Sequence, residues 1–210
     1  MEVLSRSDVT QPAILTMSVA ALRCIQEVAE EPVVPAATAG HSLGEYTALV
    51  AAGMMEFHDA VRLVRSRGLY MQEACDAAPG TMYAVIALED EQVEEACEQA
   101  RQETGGGVWP ANFNCPGQVV ISGEEAPAAR AAEICSDMGA RRALQLKVAG
   151  AFHTPLMQPA ADKLKDELAD VDMTEPNCPV VANVTAEPVA DPDVMRELLL
   201  RQVTSPVRWT

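Results

Sequence analysis

Two kinds of hydrophobic run alternate along the chain and together predict a mixed α/β fold. Short apolar stretches bounded by glycine, proline or charged residues predict strands at 33–39, 82–88, 108–115, 118–122, 142–147 and 179–184. Longer stretches with apolar residues at helical spacing predict helices at 43–52, 59–75, 90–103, 126–138 and 162–170. Gly53 ends the first helix, Gly105-Gly106-Gly107 breaks the third, and Pro116-Gly117 turns between two strands. Thr154-Pro155 offers a further helix start, with threonine as N-cap and proline at the first helical position. An acidic, proline-containing loop runs from Val184 to Asp193, and there is no repeat or low-complexity tract.

Between Thr81 and Lys147 the order strand, helix, strand, strand, helix, strand is that of a ferredoxin-like unit. It reads as an insertion in a larger body. The expected fold class is therefore α/β: an α/β-hydrolase-like large subdomain with a parallel sheet over 1–79 and 148–210, and a ferredoxin-like (βαββαβ) small subdomain over 80–147. Ligand sites often lie between such parts, so the active site is expected in the cleft between them.

The junction of the first predicted strand and helix carries the chemistry. Gly40-His41-Ser42-Leu43-Gly44 is a Gly-x-Ser-x-Gly pentapeptide, which suits a sharp strand-to-helix turn that presents a serine hydroxyl for attack. Small glycines are expected to flank Ser42, and the Leu43 N–H at the helix N-terminus would face a developing oxyanion. A serine hydroxyl needs a base, and the chain has three histidines. His41 should point away from the site toward packed backbone, and His58 suits a helix start or solvent. His153 follows the strand-like 144–148 through Ala149-Gly150-Ala151-Phe152, a place where catalytic groups collect in α/β folds.

An arginine narrows the chemistry further. Helix 59–75 has an apolar stripe of Ala60, Leu63, Val64, Met71 and Ala74, and Arg67 falls inside it, while Arg62 and Arg65 fall outside. A buried guanidinium needs an anion or an equivalent partner, and its planar fork suits a carboxylate in two-point contact. Two readings stay open: an internal salt bridge, or a grip on a substrate carboxylate at the end of an acyl pocket.

Composition excludes several classes. With 210 residues and 49% hydrophobic content the chain can bury a substantial core. It has no run of about 18 apolar residues to cross a membrane, and Met1-Glu2-Val3 does not open a signal peptide, so a soluble cytoplasmic protein is expected. Cys24, Cys75, Cys97, Cys115, Cys135 and Cys178 are scattered without a Cys-x-x-Cys pair, which reads as reduced, mostly buried thiols and no metal site. A formal charge of −16 argues against nucleic acid as a partner.

Four motifs in order now resemble one family: Gly40-His41-Ser42-Leu43-Gly44-Glu45-Tyr46, Arg67-Gly68-Leu69-Tyr70-Met71-Gln72-Glu73-Ala74, Asn112-Phe113-Asn114-Cys115-Pro116-Gly117-Gln118 and Gly150-Ala151-Phe152-His153-Thr154. The chain is similar along its whole length, to Ser205-Pro206-Val207-Arg208-Trp209-Thr210, to the malonyl-CoA:acyl carrier protein transacylases. The resemblance implies transfer of malonyl from malonyl-CoA to the phosphopantetheine thiol of acyl carrier protein through a malonyl-serine, in fatty acid biosynthesis and with no cofactor. It implies that Ser42 accepts the acyl group, His153 is the base, Arg67 pairs with the malonyl carboxylate and the Leu43 N–H forms half of the oxyanion hole. It also places Met71, Asn112, Gln118 and Phe152 in the substrate site, although both amides are equally suited to structural hydrogen bonds. In related acyltransferases Ala-Phe-His at 151–153 accompanies malonyl over methylmalonyl, a choice worth only about 1–3 kcal/mol per methyl.

The resemblance also has gaps. The family's N-terminal strand and its Phe-Pro-Gly-Gln-Gly-Ser-Gln type loop, whose glutamine completes the oxyanion hole, have no counterpart, and neither has a Gly-Pro-Gly segment expected after Trp209 to supply the carbonyl that orients the histidine. Loss of one oxyanion donor costs about 3–4 kcal/mol, so a catalytically impaired fragment that only binds carrier protein is one alternative. A serine esterase or thioesterase of α/β-hydrolase type is another, and it would have no use for a buried Arg67. The expected partners are the coenzyme A thioester and acyl carrier protein, with the protein a monomer. The net charge opposes an acidic carrier, so docking is expected to use Arg62, Arg65, Arg141, Arg142 or Lys147.

Overall fold

The first element is one that the hydrophobic pattern did not announce. In a computed structural model that describes residues 6–148 and 150–210, helix α1 spans Ser7–Val28, with Pro12 inside it. Its buried face is only Gln11, Leu15 and Val19, one residue per turn, while Ile14, Met17, Ile25 and Val28 are exposed. Apolar residues spread around the whole circumference give a weak periodic signal. The expected reading of Met1-Glu2-Val3, and Ala149 in the loop before the histidine, lie outside the described residues.

The chain continues through β1 (Thr38–Ala39), α2 (Leu43–Ala51), α3 (Phe57–Ala77), β2 (Thr81–Ile86), α4 (Asp90–Thr104), β3 (Val108–Cys115), β4 (Gln118–Gly123), α5 (Glu125–Asp137) and β5 (Arg142–Gln145). A 3₁₀ turn at Pro155–Met157 leads into α6 (Gln158–Ala169), followed by β6 (Val180–Val181), β7 (Pro188–Val189), α7 (Pro192–Gln202) and β8 (Val207–Arg208). It divides into two units, Met1–Tyr70 with Asp162–Leu200, and Met71–Ala161 with Arg201–Thr210. Among the described residues no helix is long and apolar enough to cross a membrane.

In the first unit α1 packs on α2, and the sheet order is β1-β6-β7. β1 runs parallel to β6, with Thr38 opposite Val180 and Ala39 opposite Val181, while β7 is antiparallel to β6. The strand expected at 33–39 is confined to Thr38–Ala39. Pro35 offers no N–H to a ladder, and Val33 and Val34 are exposed. The loop expected to run to Asp193 ends earlier: Asp191 Oδ1 accepts the Asp193 and Val194 N–H groups at 2.9 and 3.1 Å, and Pro192 is the first residue of α7.

The second unit contains the expected β-α-β-β-α-β order in a sheet β5-β2-β4-β3-β8. The first four strands pair antiparallel, and β8, which the pattern did not predict, joins parallel to β3 with Asn112 opposite Val207. Alternation assigns the two faces. Val85, Val119, Ile121 and Phe113 pack under α4 and α5 with Val93, Cys97, Ala131 and Cys135. On the opposite face Met82, Ala111 and Val120 pack with Ala84, Leu146 and Phe152.

Cys75, Cys97, Cys135 and Cys178 are buried, Cys24 and Cys115 are exposed, and all six are free. Burial pushes the Cys75 and Cys135 thiols up to about 11 and Cys97 further. It pushes the Tyr46 hydroxyl up to about 12, with Arg67 opposing and Glu45 adding. The folded chain thus holds these protons more tightly than the unfolded one. Stability should be fully present below the ordinary thiol and phenol values and fall as pH rises through them, by about 1.4 kcal/mol per pH unit for each proton retained. Urea unfolding between pH 8 and 11.5 is expected to show that decline, with a shallower slope above pH 10 in Tyr46→Phe.

Candidate active site

Ser42 stands between β1 and α2 with φ 52° and ψ −105°, a conformation that an L-residue holds only under constraint. Gly40 makes the turn possible, because a Cβ there would lie 1.9 Å from the Gly44 carbonyl oxygen. The flanking glycines are not equivalent: a Cβ on Gly44 meets nothing within 4 Å, so only Gly40 is sterically required. Gly40→Ala is expected to cost at least about 3 kcal/mol in denaturant unfolding, whereas Gly44→Ala, within α2, should leave stability unchanged or raise it by up to about 1 kcal/mol.

The amides around the serine are allotted. Gly44 N–H and Glu45 N–H return to His41 O and Ser42 O at 2.8 and 3.1 Å. Ser42 N–H donates to Asn183 Oδ1 at 2.6 Å, and Asn183 Nδ2 donates to Gly40 O at 2.8 Å. Leu43 is the first residue of α2, so its N–H is one of the helix's N-terminal donors that have no intrahelical acceptor. His41 is exposed, and His58 is exposed with its Nδ1 3.3 Å from Asp59 Oδ1.

The α3 stripe is buried as expected, and Arg67 lies inside it at 2% exposure, while Arg62 and Arg65 are exposed. Gly68 lets the start of α1 approach, since a Cβ there would come within 2.4 Å of Ser7 O. This approach brings Gln11 Oε1 to 2.6 Å from Arg67 Nη1. Arg67 Nη2 donates to Ser42 Oγ at 3.1 Å, and the guanidinium lies over the Tyr46 ring, 5.5 Å from its centre. Burial pulls the guanidinium pKa down, and the neighbouring Tyr46 and Glu45 oppose this. An arginine nevertheless remains charged in proteins. A desolvated cation thus stands one hydrogen bond from the candidate nucleophile, and its planar fork suits a carboxylate. Met71, one turn further along α3, is also buried.

In the second unit His153 has φ 59° and is 5% exposed. Thr154 caps the 3₁₀ turn by accepting from Leu156 N at 3.3 Å and donates its own hydroxyl to Ala151 O at 2.7 Å. His153 Nδ1 is 2.8 Å from the Gln202 backbone carbonyl. A carbonyl can only accept, so Nδ1 carries the proton and Nε2 keeps its lone pair, the tautomer of a base. The orienting carbonyl, expected in a segment after Trp209, is thus at Gln202, at the end of α7. Asn112 and Gln118 fall, by register with Val120 and Ile86, on the sheet face that holds Phe152. His153 also lines a cavity of about 640 Å³ with Trp109, Phe113, Pro155 and Arg208.

Ser42, Leu43 and Arg67 are therefore brought together in the first unit, and His153, Phe152, Asn112 and Gln118 belong to the second. Gln11, Asn183, Glu45 and the Gln202 carbonyl were not anticipated. The one available signal was a polar Gln11 preceding Leu15 and Val19 at steps of four. Among the described residues no group of His, Cys, Asp and Glu could hold a metal ion.

The Escherichia coli (strain K12) malonyl CoA-acyl carrier protein transacylase is 48% identical over 209 residues, covering 100% of this chain and 66% of its own length. The Bacillus subtilis protein of the same name is 44% identical over 199 residues, covering 95% of this chain and 62% of its own. The chain thus spans about two thirds of the length of these relatives. Among solved structures, the malonyl CoA-acyl carrier protein transacylase of Coxiella burnetii superposes with a TM-score of 0.95 at 42% identity, covering 100% of this chain and 65% of that one. A malonyl-transacylase solved in complex with a type II PKS acyl-carrier protein gives 0.93 at 45% identity, covering 98% and 65%. The sequence model of the acyl transferase domain matches residues 2–210, and on that extent of agreement the chain belongs to the acyl transferase domain family.

Proposed function

We propose that the protein transfers a malonyl group from malonyl-CoA to the phosphopantetheine thiol of an acyl carrier protein through a malonyl ester of Ser42. The observation that carries this reading is the buried Arg67 guanidinium with Nη2 3.1 Å from Ser42 Oγ. A carboxylate two bonds beyond the acyl carbon comes within reach of that fork, whereas a serine esterase for neutral esters gains nothing from a buried cation there.

His153 Nε2 takes the Ser42 proton as Oγ attacks the thioester carbon, and the Leu43 N–H meets the oxyanion. The tetrahedral intermediate collapses, the carbon–sulfur bond breaks, and the coenzyme A thiolate takes the proton from His153. In the second half the carrier thiol gives its proton to His153 and attacks the ester, and Ser42 recovers the proton as the product leaves. Phe152 limits bulk at the acyl α-carbon, Met71 and the amides of Asn112 and Gln118 line the substrate, and the carrier docks on exposed cations such as Arg62 and Arg65. No step calls on a cofactor.

A ping-pong route has a signature that needs no carrier protein. The protein is expected to exchange label between malonyl-CoA and free coenzyme A, and to give parallel double-reciprocal lines once carrier is added. Intersecting lines with no exchange would contradict the acyl-serine route.

A further inference from the structure

We infer that Asn183 is a positioning residue that locks the nucleophile turn in its reactive backbone conformation. The inference rests on the reading of Ser42 as nucleophile. Asn183 lies two residues beyond β6 and is 2% exposed. Its carboxamide reaches both sides of the turn: Oδ1 accepts from Ser42 N–H at 2.6 Å, and Nδ2 donates to Gly40 O at 2.8 Å. The orientation of the amide is not ambiguous, because the serine N–H can only donate and the glycine carbonyl can only accept. Its own backbone N–H donates to Glu45 Oε1 at 3.1 Å, and Glu45 is fully buried in the first turn of α2. The segment after β6 is thereby tied to the turn at Gly40, Ser42 and Glu45.

This arrangement answers two needs of the serine. The first is strain: Ser42 at φ 52° and ψ −105° persists only where its surroundings over-determine it. A planar group with an acceptor and a donor side by side fixes the residues on both sides of His41 at once. Aspartate lacks the donor and leucine lacks both. The second need is a division of amides. With the Ser42 N–H committed to Asn183, the Leu43 N–H is the one left to face the oxyanion, and Oγ keeps a fixed direction relative to it.

The test uses the full chain, with wild type and Asn183→Ala measured side by side. In wild type, the Ser42 amide proton should resonate well downfield and exchange slowly with solvent. In Asn183→Ala its exchange should speed up at least about tenfold while Ala48 and Leu49 in α2 keep their protection. Single-turnover acylation by malonyl-CoA, per folded molecule, should fall about 10- to 100-fold with KM nearly unchanged.

An ordinary, fast-exchanging Ser42 amide in wild type would overturn the inference even if the variant did not fold. So would an acylation loss that merely tracked the unfolded fraction. If wild type is not acylated on Ser42, the proposed function fails, and the exchange measurements alone decide the role of Asn183.

Discussion

His153→Ala is expected to slow malonylation of Ser42 by about 10⁴- to 10⁶-fold, as removal of the histidine does in hydrolytic serine sites whose members act as a unit. The expectation comes from the hydrogen bond on the far side of the ring. With Nδ1 committed to the Gln202 carbonyl at 2.8 Å, Nε2 holds the lone pair, and a neutral serine hydroxyl is a poor nucleophile without it. The backbone at φ 59° and the Thr154 hydroxyl bonded to Ala151 O hold the loop that carries the ring. Stopped reactions analysed by mass should show the loss, while malonyl-CoA binding persists because the Arg67 contact is untouched. A loss below about tenfold would mean that another group takes the proton.

Arg67→Ala should lower malonyl transfer by about 10²- to 10⁴-fold. Two charge-assisted hydrogen bonds to a carboxylate contribute about 3–6 kcal/mol together, and each 1.4 kcal/mol is a factor of ten. Arg67→Lys should recover little, because a point charge cannot reproduce the fork that reaches Gln11 Oε1 and Ser42 Oγ together. Acetyl-CoA, which lacks the carboxylate, should lose far less in Arg67→Ala, so the ratio of malonyl to acetyl transfer is the informative quantity. Equal losses for both would assign Arg67 a structural role. Thermal melting of the variant separates the two cases, since Arg67 also fills space over Tyr46.

The reacting groups were visible in the sequence because each depends on its immediate neighbours. Gly40 and Ser42 define their turn within five residues, and the α3 stripe exposes Arg67 as a charge among apolar positions. Strand and helix alternation over 81–147 was equally local, and it gave the sheet its expected order apart from β8. What supports the reacting groups was hidden because it comes from afar. Gln11 reaches Arg67 across 56 residues, Asn183 reaches Ser42 across 141, and Gln202 reaches His153 across 49. Gln202 acts through its backbone carbonyl, which no side-chain pattern reveals. α1 escaped for a different reason: one buried residue per turn leaves no stripe to detect. At 33–39 apolar composition suggested more strand than partner β6 accommodates, because only Thr38 and Ala39 find paired residues.

Intact-protein mass spectrometry shows directly whether Ser42 itself carries the malonyl group. Wild type and Ser42→Ala are each incubated briefly with malonyl-CoA, without carrier protein. Wild type is expected to gain the mass of one malonyl group, mapped to the peptide containing Ser42, and the variant none. An equal gain in Ser42→Ala, or a malonyl group mapped to another residue in wild type, would contradict that expectation.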